Sequence, residues 1–187
     1  EAPLLLLEFH GSKSSVKEQS ELFNEISKDF GGNNFEWNAN IEERNKLWKA
    51  RHDVYYAVKA CRPEADYIAT DVCVPISRLS ECITETIEDM EQNKLFGPIV
   101  GHVGDGNFHV QLLIDPKDQN EIDVANGFLE RLAHRASSMD GTCTGEHGVG
   151  QGKKQYLLEE LGSAVNFMKL IKEELDPKGI MNPGKIL

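Results

Sequence analysis

The sequence lacks any long apolar run: the longest, Leu4 to Leu7, is far too short to cross a bilayer. It has four cysteines, Cys61, Cys73, Cys82 and Cys143, and none lie in a Cys-x-x-Cys pair, so a zinc ribbon has no support and reduced thiols are expected. Positive charge is scarce, with 20 Lys and Arg against 31 Asp and Glu and a net charge of −11. That balance excludes DNA, RNA or an anionic membrane as the main partner, because each needs a basic face. It does not exclude a small anion, since a bound metal and one arginine reverse the local field. No Gly-x-Gly-x-x-Gly follows a strand and opens a helix, so the usual dinucleotide-binding turn is missing. The chain starts at Glu1-Ala2-Pro3 rather than at Met, which reads as a fragment, with any upstream targeting peptide out of view.

What is present suits a folded domain. The 187 residues, 40% hydrophobic and 27% charged, are enough to bury a core without disulfides. Pro3 to Phe9 reads as a buried strand ending at Gly11, followed by a helix with a capping box at Ser15-x-x-Glu18 and a stop at Gly31-Gly32. Phe35 and Trp37 suggest a further short strand, and Ile41 to Lys59 a helix broken at Arg62-Pro63. Tyr67 to Pro75 alternates as a strand, with Asp71 on the face opposite Val72 and Val74, where a carboxylate needs a partner or solvent. Leu79, Ile83, Ile87 and Met90 mark an amphipathic helix over Ser77 to Leu95. Strands at Pro98 to Val103 and Asn107 to Ile114 flank Gly104-Asp105-Gly106, a hairpin turn. Helices from Asn120 to Met139 and from Lys153 to Leu175, the latter broken near Gly162, complete the chain. With no repeat or linker, the expected fold is a single α+β domain over residues 1–187. It has a largely antiparallel sheet with ferredoxin-like elements packed against helices.

Two glycine-rich stretches, Gly101-His102-Val103-Gly104-Asp105-Gly106-Asn107-Phe108-His109 and Thr144-Gly145-Glu146-His147-Gly148-Val149-Gly150, carry half of the 6 histidines. A hairpin that brings His102 and His109 near each other, with Glu146 delivered by a distant loop, is one way to build a metal site. Two imidazoles and one carboxylate leave coordination positions open, as a catalytic site requires. Zinc suits the set, with manganese or iron as alternatives. Taken singly, each histidine is more often a hydrogen-bonded loop residue than a ligand, and Asp105 and Asn107 are equally simple turn formers. Cys143, three residues before Glu146, reads as a small residue lining a tight loop rather than a nucleophile.

These stretches, with Met181-Asn182-Pro183-Gly184-Lys185, Leu6-Leu7-Glu8-Phe9-His10-Gly11 and Thr70-Asp71-Val72-Cys73-Val74-Pro75, resemble the C-terminal domain of FAD-linked D-2-hydroxy-acid dehydrogenases of the vanillyl-alcohol-oxidase type. The resemblance runs nearly end to end. It implies that His102, His109 and Glu146 bind a divalent metal and that His147 accepts the substrate hydroxyl proton. Such a role suits an imidazole beside an acidified hydroxyl. It implies too that Arg51 grips the substrate carboxylate, which a bidentate guanidinium does well, and that Asn182 lies near the flavin. Read without the resemblance, Arg51 is an exposed helix arginine with an acidic neighbour.

Relatives that oxidise a substrate with a second carboxylate place a lysine two residues before the strand aspartate. Here Ala69 stands there, with Lys59 or Lys49 as possible substitutes. A small 2-hydroxy acid with a short or apolar tail, as in lactate, follows, because an unpaired distal carboxylate is costly to bury. FAD binding in the family belongs mostly to an N-terminal domain of which this sequence has no counterpart. The chain therefore reads as the substrate or cap half of a larger flavoenzyme, inactive in isolation, of the mitochondrial matrix or a bacterial cytoplasm. The electron acceptor is not legible. A metal-dependent hydrolase and a noncatalytic binding module are the competing readings: the first needs no flavin, and the second is favoured if neither metal nor hydroxy acid shifts the melting temperature.

Overall fold

The computed structural model describes residues 3–187, which fall into two units, Glu1–Val54 and Tyr55–Leu187. The N-terminal unit holds α1 (Lys13–Asp29) and α2 (Ile41–His52). The expected strand at Pro3 to Phe9 is not formed: the segment has no regular structure, and Leu4 is 81% exposed. An apolar run becomes a buried strand only when a neighbour pairs with it, and none does among the described residues. Phe35 and Trp37 likewise form no strand. Instead Phe23 stacks between Phe9 and Phe35, with ring centroids 6.2 and 5.7 Å away, and makes a small aromatic core. The cap of α1 is Ser12 rather than Ser15, since Ser12 Oγ accepts from Ser15 N–H at 3.3 Å. Gly31, at φ +78°, ends that helix as expected.

The next helix, α3 (Val54–Cys61), belongs to the C-terminal unit from Tyr55 on, so the helix expected over Ile41 to Lys59 is two helices, parted at Asp53. There follow β1 (Asp66–Ala69), β2 (Val72–Cys73), α4 (Ile76–Gln92), β3 (Ile99–His102), β4 (Asn107–Ile114), α5 (Gln119–Ser138), α6 (Lys154–Leu161) and α7 (Ala164–Leu175). The fold is α+β, and every strand pairing is antiparallel to the central β4. On one side β3 pairs His102 with Asn107 and Val100 with His109. On the other, β1 and β2 follow one register, Ala69 opposite Gln111 and Val72 opposite Phe108. The expected strand over Tyr67 to Pro75 is thus present but interrupted at Thr70-Asp71, where Thr70 Oγ1 accepts from Val110 N–H at 2.7 Å.

Strict alternation in β4 sorts its side chains onto two faces. Phe108, Val110, Leu112 and Ile114 join Leu79, Cys82 and Met90 of α4 and Phe128, Leu132 and Ala136 of α5 in the main core. Each of the larger ones, the Val, Leu, Ile, Phe and Met side chains, contributes about 1.5–3 kcal/mol on burial. The inward stripe of α4 differs from the expected one: Ile87 is 43% exposed, and buried Cys82 and Thr86 stand inside instead. A carboxylate fastens α4 to α5, for buried Asp89 accepts from Arg131 at 2.6 Å and from Arg135 at 2.8 Å. The opposite face of β4 presents Asn107, His109 and Gln111, all buried although polar. Polar side chains buried in a row on one sheet face mark where the fold has been built for something other than packing.

The last two helices are parted at Gly162, as expected, which stands at φ +52°. In α7, Phe167, Leu170, Ile171 and Leu175 form a stripe at helical spacing, and all four are exposed. No helix among the described residues is long and apolar enough to cross a membrane.

Candidate metal centre

The polar face of β4 gains its chemistry from a loop 35 or more residues further on in sequence. Because the β1–β2 register is continuous, Asp71 falls opposite His109, and the two side chains lie 3.7 Å apart. His109, 7% exposed, turns its Nδ1 to the carbonyl of Thr70 at 2.8 Å. A carbonyl only accepts, so Nδ1 donates there and Nε2 is the nitrogen left to face the loop. Nε2 meets Glu146 Oε1 at 2.9 Å, and the same oxygen lies 3.4 Å from His147 Nε2. The rings of His109 and His147 meet edge to face, with centroids 5.2 Å apart. An imidazole nitrogen and a carboxylate at hydrogen-bond distance need a proton or a cation between them. The arrangement is therefore one that holds positive charge.

Of the residues singled out by sequence, the structure brings together His109, Glu146 and His147. His102 stands at the end of β3 opposite Asn107, which makes it the diagonal neighbour of His109 on the same sheet face, a separation of about 7–8 Å between α-carbons. Its side chain is exposed, and it is outside the group Asp71, His109 and His147, whose candidate ligand atoms all lie within 4.8 Å of one another. Arg51 lies half-buried in the last turn of α2, in the N-terminal unit. Asn182 is exposed at φ +47° in the loop after α7. The alternatives weighed for a missing lysine are both engaged: Lys59 donates to Ala65 O, and Lys49 pairs with Asp53 at 2.5 Å. The hairpin turn is a single 3-10 turn over Val103–Asp105, closed by Gly106 at φ +75°, where a Cβ would come within 2.0 Å of Val74 O. Gly104 and Gly106 thus serve the turn and open no helix, so they make no cradle for a pyrophosphate.

Asp71 is the residue of this centre that the sequence reading left without a role. Its carboxylate is 3% exposed and accepts from Asn107 Nδ2 at 2.9 Å, Thr144 Oγ1 at 3.0 Å, Glu146 N–H at 3.1 Å and His147 N–H at 2.9 Å. Burial alone pushes this carboxyl up. The His147 N–H, the Asn107 amide, the Lys153 ammonium and the Glu146 N–H outweigh it and hold the group well below the usual carboxylate range. The one available signal was its position at mid-strand. Its partners lie 36 to 82 residues away, so no local pattern names them.

Two buried acceptors near this centre, Asn107 Oδ1 and Gln111 Oε1, find no partner among the described residues. Each such atom costs about 1–3 kcal/mol unless a ligand meets it. Cys143 is 1% exposed, and burial together with Glu160 pushes its thiol up to about 11, which leaves no thiolate for nucleophilic work.

A family model described as FAD linked oxidases, C-terminal domain, matches residues 1–186. The chain is 54% identical over 186 residues to a protein named "Probable D-lactate dehydrogenase, mitochondrial" in Danio rerio, a match covering 99% of this chain and 37% of that protein. It is 41% identical over 188 residues to "D-lactate dehydrogenase [cytochrome], mitochondrial" of Arabidopsis thaliana, covering 100% of this chain and 33% of that one. It is 28% identical over 183 residues to "Glycolate oxidase subunit GlcD" of Escherichia coli (strain K12), covering 97% and 36%. The chain thus spans between a third and two fifths of the length of these relatives.

Proposed function

The chain belongs to the family of FAD-linked oxidase C-terminal domains, and from that premise we propose that it is the substrate- and metal-binding domain of a larger mitochondrial flavoenzyme that oxidises a small D-2-hydroxy acid of the lactate type to the 2-oxo acid. The observation that carries this reading is the 2.9 Å approach of His109 Nε2 to Glu146 Oε1 while His109 Nδ1 is held by Thr70. An imidazole nitrogen and a carboxylate facing each other fit a divalent cation. Zinc suits them best, with manganese and iron next. His102, His109 and Glu146 would hold it, His102 by turning inward from its diagonal position. In the full enzyme the cation supplies a positive centre for the substrate's hydroxyl and carboxylate oxygens, and the flavin supplies the acceptor for the C2 hydride.

The chain's own residues do the rest. His147 takes the hydroxyl proton at Nε2, since its ring stands beside Glu146 yet keeps 64% of its side chain exposed and reachable. Arg51 is the proposed grip on the substrate carboxylate, and Asn182 the proposed neighbour of the flavin. Ala69 presents a methyl where a second carboxylate would need a cation, and Lys49 and Lys59 are committed elsewhere, which favours a short, uncharged tail on the substrate. The turn at Gly104-Gly106 makes no phosphate cradle, and in the Danio rerio relative the match covers 37% of the protein; we place the FAD site in the part that corresponds to the remainder. The exposed stripe Phe167, Leu170, Ile171 and Leu175 supplies that flavin-binding part with a face to cover.

The test uses the full-length protein. D-lactate is expected to reduce the bound flavin, and His109→Ala and Glu146→Ala are each expected to abolish both that reduction and the metal measured by elemental analysis. Metal content unchanged in both variants would overturn the centre. Hydrolysis of esters or phosphates by the metal-loaded protein, without flavin reduction, would move it to the hydrolases.

A further inference from the structure

The loop that carries Glu146 and His147 has no helix or strand of its own, yet its two functional side chains converge on a histidine of β4. Something must fix its backbone, and the hydrogen bonds show what does. Consecutive N–H groups of Glu146 and His147 both donate to the Asp71 carboxylate, and Thr144 Oγ1 adds a third bond from the same loop. Across the sheet, Asn107 Nδ2 holds the other carboxylate oxygen and also donates to Val72 O at 2.9 Å. From the start of α6, Lys153 Nζ donates to the Asp71 carbonyl at 2.7 Å and lies 3.5 Å from its carboxylate. Gly145 completes the fit, for a Cβ there would come within 2.0 Å of Asn107 Nδ2 and 2.9 Å of Asp71 Oδ1.

We infer that Asp71 is the positioning residue of this centre: a buried anionic clamp that sets the Glu146–His147 backbone against His109 and does not itself bind the cation. A carboxylate offers about four lone-pair directions. Oδ2 accepts from the Thr144 hydroxyl and the His147 N–H, Oδ1 from the Asn107 amide, and the Glu146 N–H is shared between the two oxygens at 3.1 and 3.2 Å, so little is left for a metal. The proximity of Asp71 to His109 and His147 is therefore that of a frame and not of a third ligand. His109 supports the same assignment, because the nitrogen nearest Asp71 is Nδ1, already given to Thr70 O. The charge suits the task, since bonds to an ionised acceptor are about twice as strong as neutral ones and hold a loop that lacks regular structure.

The inference rests on the proposed metal site for its functional meaning, but its test does not depend on that site alone. Asp71→Asn keeps the shape and removes the charge; Gly145→Ala leaves the charge and pushes the loop away. In the metal-free 187-residue chain, amide hydrogen exchange followed by NMR is expected to show Glu146 and His147 N–H protected, and at least 10-fold less protected in both variants, while Val110 and Leu112 keep their protection. Zinc titration is expected to show affinity reduced about 10- to 100-fold in both, the usual effect of removing a group that orients a ligand. X-ray absorption of the zinc-loaded Asp71→Asn chain is expected to keep the wild-type ligand count. Unchanged protection at Glu146 and His147 would overturn the clamp. Loss of one oxygen ligand in Asp71→Asn with the loop amides still protected would make Asp71 a ligand instead. If the wild-type chain takes up no zinc, the metal reading fails and the exchange experiment still decides the clamp.

Discussion

Replacing Asp89 with Asn tests whether the two-helix layer behind β4 depends on one carboxylate. Asp89 is 7% exposed and receives Arg131 through Nε and Nη2, Arg135 through Nη2, and Asn93 Nδ2 at 2.8 Å. Breaking a buried pair by removing one partner costs about 3–5 kcal/mol when the other charge is stranded. Here the stranding is incomplete. Arg131 keeps 45% of its side chain exposed and turns to water, while Arg135, at 12%, retains Glu85 at 3.3 Å. The expected loss is therefore about 2–3 kcal/mol, at or under the low end of that range, or about 4–12 °C in Tm for a chain of this size. The pH dependence follows from the direction of the shift. Burial raises the Asp89 carboxyl, but the hydrogen bonds from Arg131 and Arg135 prevail and hold it below its ordinary value. A depressed carboxyl contributes in full above its unfolded value, about 3.9, and the contribution fades as pH falls from there toward the folded value. Urea unfolding of wild type and Asp89→Asn at pH 7 and pH 3 is thus expected to show a wide gap at pH 7 and a narrower one at pH 3. A gap of equal size at both, or none at pH 7, would refute the account of the clasp.

Further outcomes follow from the core, the thiols and the exposed helix. Phe128→Ala empties a fully buried position against β4 and is expected to lower unfolding free energy by about 3–5 kcal/mol in denaturant titration. Iodoacetamide at pH 8, read by mass spectrometry, is expected to label exposed Cys61 and to spare Cys143, whose thiol is buried and pushed up to about 11. Phe167→Ser with Leu170→Ser is expected to leave the stability of the 187-residue chain within about 0.5 kcal/mol, because both side chains are more than half exposed. The same pair is expected to lower the Tm of the full-length flavoprotein; an unchanged full-length Tm would remove α7 as the face covered by the flavin-binding part.

The parts of this molecule legible in its sequence are those whose cause is local. The run Asn107 to Ile114 announces β4, and Gly104-Asp105-Gly106 announces its turn, because period and the left-handed φ that Gly106 adopts are properties of a few adjacent residues. The stops at Gly31 and Gly162 are legible for the same reason. The apolar run at residues 3–9 misleads because apolar composition is necessary for a buried strand but does not supply the strand it must pair with. Ser12 and Ser15 are both competent caps, and the choice falls to where the chain leaves Gly11, which spacing alone does not show. In α4 the expected stripe drifts because Cys82 and Thr86, weakly apolar by composition, pack as well as Ile87 once a core surrounds them.

The candidate site divides along the same line. His109, Glu146 and His147 stand out in sequence because their side chains are reactive types set among glycines, and the fold does bring them together. Asp71 carries an equally reactive side chain but sits in a β-branched strand, where it reads as an irregularity. What makes it central is four donors from two other segments, each an ordinary peptide or polar group. A sequence displays the groups that will touch a ligand more readily than the groups that hold them still, because the second kind acts through backbone N–H atoms that every residue possesses. The buried row Asn107, His109 and Gln111 bridges the two kinds. Its alternation is visible in one strand, while its burial, which converts polar residues into a site, depends on everything folded over them.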